Sequence, residues 1–397
     1  MHSILTDLEN AQEQHLLVNV YQEAQEIVYT GYVTMVNDTA VILNTYDDGG
    51  LRDGAVYLAL AVISEVELDG QDLTSMAFRI KNAQLEQFIK LTPQRLDLND
   101  QFALLPQLLQ TSLNQQYFML LILDNGETFM EGFVQSVTTD AVTMNVFDKF
   151  DFSTQRLVTV ALADIQIIEL QGKELTLVGK FLQEVTNKQH VAVVNFTVPL
   201  AIAQQLRLAQ KGHELVMIYT GNDEDNFFVG TVNTLNQTSV LFNLIDMNGQ
   251  FGGYVLLRID EIQRLTTQAD YLQLMQFFLK INRQRHFVKQ PVLNDERLFD
   301  GTTDLFAGLV QQARVFARVI RLRLRHDPGT FTGIPLHFDG DIVTLRLITS
   351  SEADDADDDD FEIEDQMSFS LDNVGELAFD YLDAYLTERQ IKQNGDV

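Results

Sequence analysis

Apolar residues alternate along much of this chain. "LLVNV" (16–20), "FMLLIL" (118–123) and "VTVALADIQIIEL" (158–170) place Val, Ile, Leu and Phe with a period of two. That period sets every second side chain on one face of a strand. Elsewhere the period lengthens. "SILTDLENAQEQ" (3–14), "LLPQLLQTSLNQQ" (104–116), "PLAIAQQLRLAQKG" (199–212) and "TDLFAGLVQQAR" (303–314) carry apolar residues at i, i+3 and i+4, the stripe of an amphipathic helix. Pro199 and Gly212 punctuate the ends of the third. "SMAFRIKNAQLEQFIK" (75–90), "YLQLMQFFLKINRQ" (271–284) and "FDYLDAYLTERQI" (379–391) also read as helices.

The strand-rich stretches repeat one skeleton. "VYTGYVTMVNDTAVILNTYD" (28–47), "FMEGFVQSVTTDAVTMNVFD" (129–148) and "FFVGTVNTLNQTSVLFNLID" (227–246) match closely, and "TFTGIPLHFDGDIVTLRLIT" (330–349) matches in part. Gly31, Gly132, Gly230 and Gly333 anchor the copies at separations of 101, 98 and 103 residues. Ten positions after each stands Val41, Val142, Val240 or Val343. Asn44 to Asp47, Asn145 to Asp148 and Asn243 to Asp246 recur, whereas copy four has Arg346 to Thr349. Such periodicity defines four tandem repeats, with boundaries at 1–98, 99–196, 197–296 and 297–397. Within a copy, turn signals follow the first strand ("DNGE" 124–127, "GNDEDN" 221–226, "HDPG" 326–329). A glycine then bends the second strand, and a polar loop leads to the later strands ("DDGGLRDG" 47–54, "MNGQFGG" 247–253). A short break (Asp164, Asp260, Asp372) separates the fourth strand from the fifth. The expected fold class is mainly β with flanking helices (α+β): four tandem, small, five-stranded, bent antiparallel barrels, each preceded by a helix.

Composition narrows the function. The chain has no cysteine, which excludes disulfides and Cys-based zinc sites. The N-terminal "MHSILTDLENAQEQ" lacks the features of a signal peptide. The longest clean apolar run, "VYLALAVI" (56–63), is far too short to cross a bilayer. A soluble, cytoplasmic protein without membrane partners is expected. The net charge of −30 opposes general nucleic-acid affinity, so no DNA partner is expected. "EADDADDDDFEIED" (352–365) supplies 10 of the acidic residues, and the remainder is still acidic.

The order helix, strand, tight turn, glycine-bent strand, polar loop, apolar strand, variable loop, two short strands resembles the Sm/LSm family, its Hfq branch most closely. Copy two carries the likeness best: "LLILDNGETFMEGFVQSVTTDAVTM" (120–144) has an apolar strand, an Asn-Gly turn, and Gly132 six residues after Gly126. The resemblance implies bent five-stranded barrels that pair edge to edge, the fourth strand of one with the fifth of the next, and, in many members, RNA binding. The RNA signature departs. Between the last two strands stand "ALAVIS" (59–64), "ALADIQ" (161–166), "LRIDEIQ" (257–263) and "SLDNVGE" (370–376), none with a base-stacking aromatic beside a cation.

Candidate sites are few. Asn44, Asn145 and Asn243 fall near the family's RNA-facing Asn, but with Asp47, Asp148 and Asp246 they read first as turn-closing residues. Copy four offers Arg318, Arg321, Arg323 and Arg325, the last three sharing one strand face. Lys280, Arg283, Arg285 and Lys289 form a second basic cluster upstream. Internal pairing, with the 352–365 segment as the named source of carboxylates, ranks ahead of RNA or another polyanion, and that ahead of gating. The Asp run lacks the spacing of a calcium loop. The seven histidines show no paired metal spacing, and no phosphate-loop, dinucleotide or nucleophile-elbow motif occurs. No cofactor or metal is expected. The reading is a non-enzymatic scaffold joining a protein partner, or itself, through barrel edges. RNA binding by copy four is the alternative, and an enzyme of unrecognised class ranks last.

Overall fold

The computed structural model describes residues 3–22, 27–90, 92, 95–123, 128–185, 189–221, 226–325, 329–348 and 366–394. Most of the tight turns named above and the whole of 352–365 lie outside the described residues. Two units divide the chain, Met1–His190 and Val191–Val397.

In the first unit, copy one runs α1 (Ile4–Gln14), β1 (Leu17–Gln22), β2 (Tyr29–Val36), β3 (Ala40–Tyr46), β4 (Arg52–Ala59), a 3-10 turn (Leu60–Val62), β5 (Ile63–Glu67) and α2 (Gln71–Leu85). Copy two repeats it as α3 (Leu104–Gln115), β6 (Phe118–Leu123), β7 (Phe129–Val137), β8 (Ala141–Val146), β9 (Arg156–Ala161), a 3-10 turn (Leu162–Asp164), β10 (Ile165–Leu170) and α4 (Lys173–Glu184). All ten strands form one antiparallel sheet in the order β5-β1-β2-β3-β4-β10-β6-β7-β8-β9.

In the second unit, β11 (Val194–Phe196) precedes copy three: α5 (Pro199–Gly212), β12 (Leu215–Tyr219), β13 (Phe228–Leu235), β14 (Ser239–Ile245), β15 (Phe251–Arg258), a 3-10 turn (Ile259–Glu261), β16 (Arg264–Gln268) and α6 (Asp270–Arg285). Copy four has α7 (Leu305–Val315), β17 (Ile320–Leu324), β18 (Thr330–Phe338), β19 (Ile342–Leu347), β20 (Gln366–Ser370), a 3-10 turn (Leu371–Asn373), β21 (Val374–Phe379) and α8 (Leu382–Asn394). Their sheet has the order β11-β16-β12-β13-β14-β15-β21-β17-β18-β19-β20. The chain is therefore α+β with two large antiparallel sheets. Both sheets are open rather than closed, with β5 and β9 ending one and β11 and β20 the other. Among the described residues no helix is long and apolar enough to cross a membrane.

Backbone contact explains why glycine recurs at the anchor. A Cβ on Gly31 would stand 2.2 Å from the carbonyl oxygen of Asn44. The corresponding distances are 2.4 Å for Gly132 to Asn145, 2.3 Å for Gly230 to Asn243 and 2.5 Å for Gly333 to Arg346. No side chain fits there. Two to four residues later each second strand slips register, at Val33/Met35, Val134/Ser136, Val232/Thr234 and Pro335/His337. A bulge adds twist and bend, so glycine and bulge together fold the second strand tightly over the third.

The leading helices bury one stripe against their own copy. Leu8 and Ala11 of α1 join Val18, Val20 and Val41, while Ile202, Leu206 and Ala209 of α5 join Val216, Val240 and Phe242. Copies also share cores within a unit: Ile42, Ala55 and Tyr57 of copy one pack with Leu108, Met119 and Ile168 of copy two. Each fully buried Leu or Ile contributes about 2 kcal/mol by leaving water.

The helix α4 is absent from the sequence reading. Gly179 interrupts its pattern, and a Cβ there would meet Phe118 Cβ at 2.9 Å, so the glycine lets the helix lie close on β6. β11, only three residues long, is too short for periodicity to reveal.

Candidate functional site

Each unit joins its two copies in the same way. The fourth strand β4 pairs with the fifth strand β10 through Ala55↔Leu170, Val56↔Glu169, Tyr57↔Ile168 and Leu58↔Ile167. In the second unit β15 pairs with β21 through Tyr254↔Phe379, Val255↔Ala378, Leu256↔Leu377 and Leu257↔Glu376. A fourth strand thus adds to a fifth strand twice, in matching register.

The sequence marks which fourth strands are joined. Five consecutive residues are buried in both β4 (Gly54–Leu58) and β15 (Gly253–Leu257). At the register position of Gly54 and Gly253, both with positive φ, the neighbouring copy's backbone comes close: a Cβ on Gly54 would meet Leu170 O at 2.4 Å, and one on Gly253 would meet Tyr381 Cα at 2.9 Å. β9 carries Arg156 at that position and is mostly exposed, as is β20. Leu157, Met367 and Ile342 are exposed apolar residues on or beside these two strands. Among the described residues the free edges are therefore the fourth strands β9 and β20 and the fifth strand β5, while β16 is covered by β11. The Gly-rich loops at 47–54 and 247–253 were the signal that could have told joined from open copies.

The copy-four arginines face carboxylates inside their own unit. Arg323 Nε donates to Glu376 Oε2 at 3.0 Å and its Nη2 to Thr220 Oγ1 at 3.0 Å. Arg321 lies 3.9 Å from Glu376 and over the Tyr381 ring. Arg325 pairs with Asp260 at 3.1 Å and Glu261 at 3.4 Å. Arg318 bridges Glu388 at 2.7 Å and Asp380 at 3.2 Å, and Arg297 also pairs with Asp380. These carboxylates come from β21, the copy-three 3-10 turn, α8 and Asp380 between β21 and α8. Lys289 pairs with Asp295. Lys280, Arg283 and Arg285 lie exposed along the C-terminal half of α6.

The recurring Asp residues close turns. Asp47 Oδ1 accepts from Gly49 N at 3.0 Å and Leu51 N at 2.9 Å. Asp246 Oδ1 accepts from Asn248 N at 3.0 Å and Gln250 N at 2.8 Å, and Asp148 Oδ1 from Phe150 N at 2.8 Å. Asn44 accepts from Arg52, and Asn243 Oδ1 accepts from Asn233 Nδ2 at 2.9 Å. Asn145, half-buried on β8, faces Leu157 of β9 across the ladder. Another recurrence escaped the sequence reading: Asn37, Asn236 and Asp339 each cap the turn into their third strand through backbone N–H groups.

Half-buried carboxylates collect where copies one and two meet. Tyr29 Oη donates to Glu169 Oε1 at 2.6 Å, Lys173 N to Asp53 Oδ1 at 2.9 Å, and Lys149 Nζ to Glu174 Oε1 at 2.9 Å and Glu131 Oε1 at 3.2 Å. Lys173 also pairs with Asp47. Burial raises the carboxyls of Glu169, Asp53 and Glu131 above the ordinary range, with the hydrogen bonds and lysines opposing only in part. Burial pulls the Lys149 ammonium down, but Glu174 and Glu131 outweigh it and hold it above its ordinary value. Groups with raised folded pKa bind protons more readily when folded, so their contribution to stability falls as pH rises from the unfolded to the folded value. Glu169→Gln, which keeps an acceptor for Tyr29, is expected to raise the thermal midpoint of the first unit at pH 7. Near pH 4 the gain should vanish, and scanning calorimetry at both values reads the difference.

Comparison with protein-family models and with curated proteins finds no match for this chain.

Proposed function

We propose that this chain is a non-enzymatic assembly protein, its four copies Sm-like barrels, which joins protein partners, further copies of itself among them, through the free edges of its sheets. The observation that carries the reading is the twice-repeated junction of fourth strand with fifth. The same chemistry remains on offer at β9, β20 and β5. An unpaired edge presents a row of N–H and C=O groups to another strand, and natural proteins usually blunt it. β9 and β20 set Leu157 and Met367 in that row's neighbourhood instead.

Fourth-strand and fifth-strand edges differ, so pairing of β9 or β20 with β5 of a second chain is head-to-tail and grows into chains or rings. Sedimentation velocity over micromolar concentrations tests it. Wild type should show a mass that rises with concentration. Leu157→Lys with Met367→Lys, both at exposed positions, should return it to one chain while the far-ultraviolet spectrum stays unchanged. A single-chain mass throughout, indifferent to the lysines, would sink self-association.

The RNA reading has narrower support. Five of its eight cations contact carboxylates, which leaves the exposed Lys280, Arg283 and Arg285 as its basis. Binding by these would fall steeply with salt.

A further inference from the structure

The short strand β11 sits where a fourth strand of another copy would sit. Across β16 it pairs antiparallel through Val194↔Gln268, Asn195↔Thr266 and Phe196↔Leu265. Aligned through the first strands, Thr266 of copy three corresponds to Glu169 of copy two and Ala378 of copy four, which stand opposite Leu120, Arg321 and, for Thr266, Met217. The residues facing that position are Val56 on β4, Val255 on β15 and Asn195 on β11. One step on, Tyr57, Leu256 and Phe196 coincide as well. Polarity and register are therefore those of a genuine fourth strand.

Its hold is weaker. β11 makes three pairs with a register slip between Val194 and Asn195, whereas β4 and β15 each make four without one. Asn195 is exposed, where Val56 and Val255 are buried. Phe196, half-buried against the copy-three core, and the bond from Thr266 Oγ1 to Asn195 Oδ1 at 2.6 Å are its anchors.

We infer that the β16 edge is a fourth-strand acceptor occupied in cis by β11, and that the partner it fits is β9 of a second copy of this chain. In the same register β9 would set Val158 opposite Thr266, as its own alignment with Val56 through Asn44 and Asn145 requires. An apolar residue there matches the two junctions already formed. The tether gives β11 a high effective concentration, so exchange needs β11 weakened or β9 presented locally. The inference rests on the edge-pairing reading for its choice of partner.

The test uses a fluorescein-labelled peptide of residues 154–162, "TQRLVTVAL", and the full chain. Asn195→Gly with Phe196→Ser releases β11. Asn195→Cys with Thr266→Cys, in a chain without cysteine, locks it when oxidised and frees it again when reduced. Fluorescence anisotropy should show the peptide bound at least tenfold more tightly by the released variant than by the oxidised lock, with β5 contributing equally to both. Equal binding to released and locked forms overturns the inference, and the reduced form of the lock shows that the cysteines themselves leave the fold intact. Unequal binding alongside a wild-type mass that ignores Leu157→Lys and Met367→Lys would leave the β16 acceptor standing and remove only the pairing of β9 or β20 with β5.

Discussion

Gly132→Ala is expected to destabilise the first unit by about 3 kcal/mol or more, since the strand pair must part to admit the methyl group. The added Cβ would stand 2.4 Å from Asn145 O, 3.0 Å from its carbonyl carbon and 3.1 Å from Val146 Cα, all of them backbone atoms that cannot rotate away. The strain also falls beside the bulge at Val134/Ser136, which fixes the register of β7 on β8. A domain is commonly stable by only about 5–15 kcal/mol, so such a loss is visible in urea unfolding. The same change at Gly31 or Gly230 meets the same carbonyl and should behave alike. A loss below about 1 kcal/mol at all three would mean that the strands separate easily, against the close approach described.

Glu376→Ala should weaken the second unit by about 1.5–3 kcal/mol, the usual worth of a hydrogen bond to a charged group, since Arg323 and Arg321 keep part of their hydration. Glu376 is 4% exposed on β21, between Arg323 at 3.0 Å and Arg321 at 3.9 Å. It also faces Leu257 of β15 and Arg323 of β17 across the ladders, so it sits in the strand that joins copies three and four. Replacing Glu376 and Arg323 together with leucine removes both charges and should cost much less than Glu376→Ala alone. Chemical denaturation of the two variants separates a coupled pair from a simple loss of packing.

Much of the architecture was legible because each repeated residue answers a local requirement. Gly31, Gly132, Gly230 and Gly333 recur where a carbonyl leaves no room, and Asp47, Asp148 and Asp246 recur where a turn needs an acceptor. The alternating stretches became strands for the same reason of period. What escaped is non-local. Whether five strands close or stay open depends on pairing that no single copy's pattern contains. The arginines of β17 were recognised as a cluster with carboxylates expected to neutralise them, yet the partners Glu376, Asp260 and Glu261 lie on other strands and turns, visible only once β15, β21 and β17 are side by side. The free edges were within reach, since Gly54 and Gly253 stand where β9 has Arg156.

The junction strands also set a schedule for synthesis. Ile167 of β10 follows its partner Leu58 of β4 by 109 residues, and Leu377 of β21 follows Leu256 of β15 by 121. At ribosomal speeds of about 5–20 residues per second, each of these fourth strands waits on the order of 10 s for its neighbour to emerge. Through that interval a nascent chain displays the most apolar edge of its copy, the state in which strands from adjacent ribosomes can find one another. The half-chain, not the single repeat, is thus the shortest product that leaves the ribosome with its junction strand covered.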